Sequence, residues 1–232
     1  MNGNRDRPMT APHQQSSRAR LTPGAAVHFA GDTLFHRVAR VVCAAGCLPR
    51  KELYESWEVA RRTRRRFRGG RVVDLACGHA LVAHLLVLLD DTSREALAVD
   101  TRLPASARRL AAAIEREWPR LRGRVTIEER AIGDVPLSKT DLVVSTHACG
   151  ALTDQVLTRA ISASARVVVL PCCHQDATCD TGGVDGWLDA ALAIDVTRVA
   201  RLRASGYVVH TQVIPGTITP KNRLILAAPG AG

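Results

Sequence analysis

Aromatic residues are scarce in this chain of 232 residues, at 3% of the composition, and no apolar run reaches the roughly 18 residues that a membrane-spanning helix needs. The N-terminal stretch lacks the apolar segment of a signal peptide. We therefore expect a cytoplasmic protein with no membrane-embedded part. With 46% hydrophobic residues, the chain is long enough for one sizeable core.

Paired Cys-x-x-Cys motifs, the usual signature of zinc-binding modules, are also absent. The seven cysteines are an odd number, and a chain without an export signal is expected to keep them as thiols. A disulfide framework is therefore not expected. Any cysteine with a special role should be catalytic, metal-binding or buried.

The net charge of +10 comes entirely from the first 71 residues, which carry 15 Lys and Arg against 5 Asp and Glu; the rest of the chain carries 17 of each. A neutral domain behind a basic front end indicates an enzyme core with a docking surface, and nucleic acid is the commonest polyanionic partner. A solvated helix face in an arginine-rich composition is the alternative. Because aromatics are few, stacking on unpaired bases is poorly supported.

Three segments follow from this composition. Residues 1–22 lack apolar periodicity and are predicted to be a disordered basic tail. Residues 23–70 are predicted to be a helical basic extension, whose second helix, at about 50–68, buries one apolar stripe and directs its arginines outward. The predicted RNA contacts are these arginines: Arg61, Arg62, Arg64, Arg65, Arg66 and Arg68. Residues 71–232 are the third segment, an α/β domain.

From residue 71 onward, short β-branched strands alternate with amphipathic helices, which is typical of a doubly wound, Rossmann-like α/β sheet. Five strands are predicted at 71–75, 96–100, 124–129, 141–145 and 166–170. A helix at about 184–204 and two antiparallel strands, 207–213 and 223–228, complete a seven-stranded sheet. Ligands of such sheets bind at the carboxyl ends of the strands, so the loops there are expected to carry the chemistry.

The first of these loops combines an acid with a tight turn. Strand one ends in Asp74, and the small residues Ala76-Cys77-Gly78 that follow let backbone amides approach a ligand. Strand two ends in Asp100, placed to accept both hydroxyls of a ribose. Together these features resemble the class I S-adenosylmethionine-dependent methyltransferases.

The resemblance implies S-adenosylmethionine as cofactor, with its methionine end in the turn and its ribose on Asp100. Under it, the cofactor-binding residues are Asp74, Ala76, Cys77, Gly78, His79, Asp100, Thr101, Ile132 and Thr146. Ala76 and Ala80 stand where the family has further glycines. A nicotinamide dinucleotide site is the alternative, but a dehydrogenase would carry a full Gly-x-Gly-x-x-Gly and usually a longer chain.

The loops after strands four and five are richer in chemistry. One reads Thr146-His147-Ala148-Cys149-Gly150 and continues to Thr153-Asp154, and the other reads Pro171-Cys172-Cys173-His174. This combination looks like a methyltransferase subfamily related to the tRNA 2′-O-methyltransferases that modify the acceptor stem. The resemblance covers about residues 50–228 and implies an RNA substrate, with tRNA favoured. The zinc-binding modules of those tRNA enzymes have no counterpart in this sequence.

Three chemistries fit the catalytic candidates His147, Cys149, Asp154, Cys172, Cys173 and His174. For methylation of oxygen or nitrogen, a histidine serves as base or orienter, and Asp154 fixes its tautomer. For carbon methylation, a cysteine thiolate adds to the base first. A zinc site would take His147, Cys149, one of the paired cysteines and His174, although we expect no metal. Buried structural thiols are the fourth reading.

The expected function is methyl transfer to an oxygen or nitrogen of RNA. A methyltransferase of a small metabolite or peptide is the alternative, and so is a cofactor-binding protein without catalysis.

Overall fold

The protein is described by a computed structural model over residues 15–175 and 177–230. Its strands are β1 (Val72–Leu75), β2 (Ala96–Asp100), β3 (Val125–Glu129), β4 (Leu142–Ser145), β5 (Arg166–Val169), β6 (Tyr207–Val213) and β7 (Arg223–Pro229). Its α-helices are α1 (Leu34–Ala45), α2 (Arg50–Arg66), α3 (Leu81–Leu89), α4 (Ala107–Glu117), α5 (Ala151–Ser162) and α6 (Ala190–Ala204).

The strands form one seven-stranded sheet in the order β3-β2-β1-β4-β5-β7-β6. Strands β1 to β5 are parallel, and β7 pairs antiparallel with both β5 and β6. This confirms the Rossmann-like α/β fold and the antiparallel closing pair. The strand order switches sides at β1: β2 and β3 lie on one side of β1, and β4 and the later strands lie on the other. A ligand site is expected at such a switch point, at the carboxyl ends of β1 and β4.

Two hydrophobic cores lie on opposite faces of the sheet. Val72 packs with the side chains of α1 to α4, whereas its neighbour Val73 packs with those of α5 and α6. Successive residues of a strand point to opposite faces, so both faces of these short β-branched strands are covered by helices.

Part of the predicted tail belongs to the folded protein. Residues 1–14 lie outside the described residues, but the Leu21 side chain is 1% exposed and its N–H donates to the Leu48 carbonyl at 2.8 Å. The N–H of Lys51 likewise donates to the Ser17 carbonyl at 3.0 Å. The prediction of disorder was therefore wrong for residues 15–22, because these hydrogen bonds hold the segment against the start of α2.

Helix α6 begins later than predicted. The Asp189 side chain accepts a hydrogen bond from the Leu192 N–H at 2.6 Å, which is an N-cap, and the helix starts at Ala190 rather than near residue 184. The preceding residues form turns, and Trp187 among them is 87% exposed.

The arginines of α2 do not form an outward row. Arg64 is 3% exposed, donates to the Leu86 carbonyl at 3.0 Å and pairs with Asp90 at 3.2 Å. Burial lowers the pKa of Arg64 to about 10, against the opposing effect of Asp90. Arg61 and Arg62 both pair with Glu58, at 2.7 and 2.9 Å. Of the six predicted RNA contacts, the exposed ones are Arg65, Arg66 and Arg68.

Arg68, which follows α2, lies at the edge of the sheet opposite the carboxyl ends of the strands. Arg166, the first residue of β5, donates to the carbonyls of Arg68 and Gly69, which precede β1. A Cβ on Gly70, whose φ is +81°, would collide with the Arg166 guanidinium and the Thr140 carbonyl. The arginine-rich end of α2 therefore stabilises the start of the parallel strands, opposite the carboxyl edge.

Within the described part of the chain, none of the helices is both long enough and apolar enough to span a membrane.

Candidate active site

The loop after β1 keeps the backbone shape of a glycine-rich turn although it has one glycine. Ala76, Gly78 and Ala80 all have left-handed backbone conformations, with φ of +57°, +53° and +58°. Such a conformation costs an alanine roughly 1–2 kcal/mol, so the surrounding structure must stabilise it. The N–H of Cys77 donates to the Val99 carbonyl of β2 at 3.0 Å, which fixes the turn to the sheet.

Two carboxylates flank this turn. Asp100 is half-buried at the end of β2 and accepts hydrogen bonds from the N–H groups of Gly78 at 3.0 Å and Arg102 at 3.2 Å. Asp74 is 1% exposed, and its Oδ2 accepts from the N–H of Ala83 in α3 at 3.2 Å. Burial raises the pKa of Asp74 to about 8, and the charge of Asp100 adds to this rise.

The residues fit a cofactor that carries an ammonium group and a ribose. The buried Oδ1 of Asp74 has no hydrogen-bond partner among the described residues, which leaves an acceptor for a cationic donor. A carboxylate offers about four acceptor sites, so Asp100 retains capacity for ribose hydroxyls beside its two backbone donors. The structure thus brings Asp74, Gly78 and Asp100 together at one edge.

The other predicted cofactor residues lie around this centre. The His79 ring lies 2.9 Å from the Ser106 hydroxyl, before α4. Ile132 packs in the same apolar cluster as Ala76, while Thr146 is buried and Thr101 is exposed.

His147 connects the cofactor loop to the catalytic candidates. A Cβ built on Gly78 would lie 3.9 Å from His147 Cδ2, so the imidazole stands directly over the turn. Burial lowers the pKa of His147 to about 4, and the charge of Lys51 lowers it further against the opposing effect of Asp100. The imidazole is therefore neutral at neutral pH and able to accept a hydrogen bond.

Three thiols converge beside it. Cys149 Sγ lies 3.1 Å from Cys172 Sγ, and the Sγ atoms of Cys172 and Cys173 are 3.8 Å apart. Cys149 and Cys173 are exposed, and Cys172 is half-buried. Burial raises the pKa of both Cys149 and Cys172, so these thiols are protonated in the absence of a metal or cationic partner.

The other predicted pairings are corrected by the structure. Asp154 does not orient a histidine: it accepts hydrogen bonds from the Arg198 guanidinium at 2.8 and 3.0 Å. His174 Nε2 instead lies 2.8 Å from Asp195 Oδ1, in α6. The predicted zinc set of histidines with cysteines is not brought together either, since only the three cysteine ligand atoms gather within 4.8 Å among the described residues.

Asp195 and Arg198 are functional candidates that the sequence reasoning missed. Arg198 is 2% exposed, contacts both Asp154 and Asp195, and donates to the Gly150 carbonyl at 3.0 Å. Arg223 in β7 donates to Asp195 Oδ2 at 2.6 Å. Arg198 lies on the apolar stripe between Ile194 and Leu202, and a charge on such a stripe indicates a buried ion pair.

This network holds the two cysteine loops in place. The N–H of Gly150 donates to the Cys173 carbonyl at 3.0 Å, which joins the loops after β4 and β5. Gly150 has φ of +56°, and a Cβ there would collide with Gln175, so this position requires glycine.

A cavity of about 600 Å³ opens in front of these groups. Its lining includes Lys51, Glu52, Glu55, His147, Cys172 and Lys221. The aromatic side chains of α2 face away from this cavity: Tyr54 and Trp57 pack on Phe35, with ring centroids 5.1 and 5.3 Å away. The cavity therefore joins the start of α2, the cysteine loops and the β6–β7 connection, next to the turn that holds Gly78.

Comparison with known proteins gives a family match over the same region. Residues 51–180, more than half of the chain, match the family model described as a methyltransferase domain. A search of curated proteins found no match.

Solved structures share the fold at low sequence identity. An O-methyltransferase family protein from Burkholderia thailandensis has 17% identity and a TM-score of 0.53, covering 91% of this chain and 64% of that one. The S-adenosylmethionine-dependent methyltransferase SibL has 18% identity and a TM-score of 0.52, covering 92% and 66%. The B. subtilis M1A22 tRNA methyltransferase TrmK has 14% identity and a TM-score of 0.51, covering 76% and 65%. The chain thus spans just under two thirds of the length of these structures.

Proposed function

The chain belongs to the methyltransferase-domain family, and on that premise we propose that it transfers a methyl group from S-adenosylmethionine to an oxygen or nitrogen of an RNA, with tRNA as the first candidate. The observation that carries the proposal is that the predicted cofactor site lies directly beside a cavity large enough for an acceptor. Asp74, Gly78 and Asp100 form a cradle for a cationic nucleoside. The His147 imidazole lies next to the Cα of Gly78, where an added Cβ would be 3.9 Å from its Cδ2, and it lines the cavity for the acceptor.

The residues divide the chemistry between them. Asp74 would pair with the ammonium group of the cofactor, and Asp100 with its ribose hydroxyls. The cofactor, when bound, supplies an electrophilic methyl group on a sulfonium. Because that methyl is already reactive, the protein needs mainly to align the acceptor, which loses one proton. His147 is neutral and adjacent, so it would orient the acceptor by accepting a hydrogen bond from its O–H or N–H, while the released proton passes to solvent because an imidazole with a pKa of about 4 is a weak base.

The support for RNA comes from the mouth of the cavity rather than from α2. Arg18 and Lys221 are exposed, and both line the cavity. They would contact the phosphates on either side of the target nucleotide, since Lys and Arg supply most of the affinity for a nucleic acid backbone. Lys51, which pairs with Glu55 at 2.6 Å, has less freedom to do so.

The direct test is transfer of labelled methyl from S-adenosylmethionine into fractions of a lysate from a strain lacking the gene, each treated with nuclease or protease. We expect label in a nuclease-sensitive small RNA, and none when Asp100→Asn protein replaces the wild type. Label confined to small molecules or to a protease-sensitive fraction would overturn the RNA substrate while retaining methyl transfer. A protein that binds S-adenosylhomocysteine but labels no fraction would contradict catalysis on any of these substrates.

A further inference from the structure

We propose that Cys149, Cys172 and Cys173 bind one thiophilic divalent metal ion, with Zn²⁺ as the test ion, leaving a fourth coordination position open to the acceptor cavity. Their three Sγ atoms lie within 4.8 Å of one another. Tetrahedral zinc with Zn–S bonds of about 2.3 Å separates its sulfur ligands by about 3.8 Å. Two of the observed separations are 3.1 and 3.8 Å and the third is no more than 4.8 Å, so a zinc site needs only small adjustments of the side chains.

The cysteine loops are held in position without help from the thiols. The hydrogen bond from Gly150 to Cys173 joins the two loops, and the buried guanidinium of Arg198 anchors the Gly150 carbonyl. Since the backbone is fixed by other contacts, the three side chains are available as ligands. A preorganised ligand set lowers the cost of ordering on metal binding.

Exposure separates these thiols from the other cysteines. Cys43, Cys47, Cys77 and Cys179 are buried, as structural thiols usually are. Cys149 and Cys173 are exposed, which a purely structural role does not explain.

The fourth position is open because no further His, Asp or Glu ligand atom joins the cluster in the described ranges, and we assign it to the cavity because two of the ligands line that cavity. His174 is directed to Asp195 instead, and Cys172 and Cys173 line the cavity. Sites with three protein ligands and one open position are typical of catalytic zinc, which makes a bound water or hydroxyl more acidic. A role for the ion in activating the acceptor rests on the proposed function, whereas metal binding itself does not.

A disulfide is the competing use of the same atoms. Cys149 and Cys172 lie 3.1 Å apart, and a disulfide would bring their sulfurs to about 2.05 Å. It would consume two of the three ligands, so the two uses exclude each other.

The test is titration of the reduced, chelator-stripped full chain with Zn²⁺ against a chromophoric chelator, and with Co²⁺ by absorption. We expect one equivalent per chain and a thiolate-to-cobalt charge-transfer band. Cys149→Ser, Cys172→Ser and Cys173→Ser should each weaken Zn²⁺ binding by at least about 100-fold. Cys43→Ser, at a buried thiol in α1 outside the cluster, is the matched control and should bind as the wild type does.

Thermal unfolding without metal shows whether each variant is folded, and the binding readout does not depend on methyl transfer. Absence of stoichiometric binding in the reduced protein would overturn the site, as would binding that survives all three substitutions. A Cys149–Cys172 disulfide in the purified protein, together with no metal uptake after its reduction, would assign the pair to redox chemistry instead.

Discussion

Two buried carboxylates, Asp74 beside the cofactor turn (the cofactor half of the site) and Asp195 behind the cysteine loops (the acceptor half), have pKa values shifted in opposite directions. At the cofactor half, burial raises the pKa of Asp74 to about 8, and its Oδ1 has no partner within the described chain. At the acceptor half, burial also disfavours the charge of Asp195, but hydrogen bonds from His174 and Arg223 outweigh it and hold the pKa below its ordinary value. Asp74 therefore has room for a cationic group from a ligand, whereas Asp195 is already paired with basic side chains of the protein.

The two halves are also assembled differently. Asp74, Gly78 and Asp100 stand at the ends of adjacent strands or in the turn between them, so local sequence positions them. The acceptor half depends on Arg198 and Arg223, which reach the cysteine loops from α6 and β7. Substitutions in the cofactor half should therefore change the affinity for the ligand, whereas substitutions in the acceptor half should change the stability of the fold.

The largest expected effect is loss of stability in Arg198→Met. Removal of the guanidinium takes away a hydrogen-bond donor from the buried carboxylate of Asp195 and from the Gly150 carbonyl. Because a buried charge then loses a partner, the free energy of unfolding should fall by about 3–5 kcal/mol. Urea denaturation measures it. Arg201→Met, an exposed position on the same helix, is the control and should change stability by no more than about 0.5 kcal/mol. Equal effects of the two substitutions would contradict the anchoring role of Arg198.

Asp100→Asn should weaken binding of the cofactor without unfolding the protein. Loss of two charge-assisted hydrogen bonds to a ribose, at about 1.5 kcal/mol each, predicts roughly 100-fold weaker binding of S-adenosylhomocysteine. Isothermal titration calorimetry measures the affinity. Asp91→Asn, at the opposite edge of the sheet, is the matched control. Binding that is insensitive to Asp100→Asn would place the cofactor elsewhere.

Affinity for S-adenosylhomocysteine should depend on pH through Asp74. The raised pKa means that Asp74 is mostly protonated below about 8, while pairing with the ligand's ammonium requires the carboxylate. Binding should therefore release a proton, and affinity should fall by roughly tenfold per unit as pH decreases from about 7.5, where the ligand amine is still largely protonated. Asp74→Asn should bind weakly and flatten this profile. Parallel profiles for the two proteins would rule out the titration of Asp74 as the cause.

The smallest expected effect concerns RNA binding at the mouth of the cavity, compared with the arginine-rich end of α2. Arg18→Gln with Lys221→Gln should weaken RNA binding about tenfold at moderate salt. The slope of the logarithm of affinity against the logarithm of salt concentration should become shallower by the amount expected for about two lost phosphate contacts. Arg65→Gln with Arg68→Gln is the control pair. From Lys51 to Arg65, α2 rises about 21 Å, so the control pair lies far from the cavity. A larger effect of the control pair, measured by filter binding, would restore the arginine row as the RNA surface.

The fold and the cofactor half were accessible from sequence because their signals are local. β-branched strands alternate with amphipathic helices, and acids end β1 and β2. The buried charges were not recognised, although a signal existed. Leu53, Trp57, Ala60, Arg64 and Phe67 recur at helical spacing, so Arg64 falls on the buried stripe of α2.

The same pattern places Arg198 between Ile194 and Leu202 in α6. The spacing of residues along a helix does not reveal which acidic side chain will pair with the buried arginine. Asp90 for Arg64, and Asp154 with Asp195 for Arg198, are set by how the helices pack against the rest of the fold. For this reason the sequence suggested Asp154 as the histidine's partner, whereas the structure places Asp195 there.

The most direct test of the account is a crystal structure of the protein with S-adenosylhomocysteine. We predict the ligand at the carboxyl ends of β1 and β2, with its ammonium on Asp74, its ribose on Asp100 and its sulfur directed toward His147 and the cavity. A ligand bound elsewhere, or one whose sulfur faces away from His147, would contradict the claim that the two halves form one methyl-transfer site.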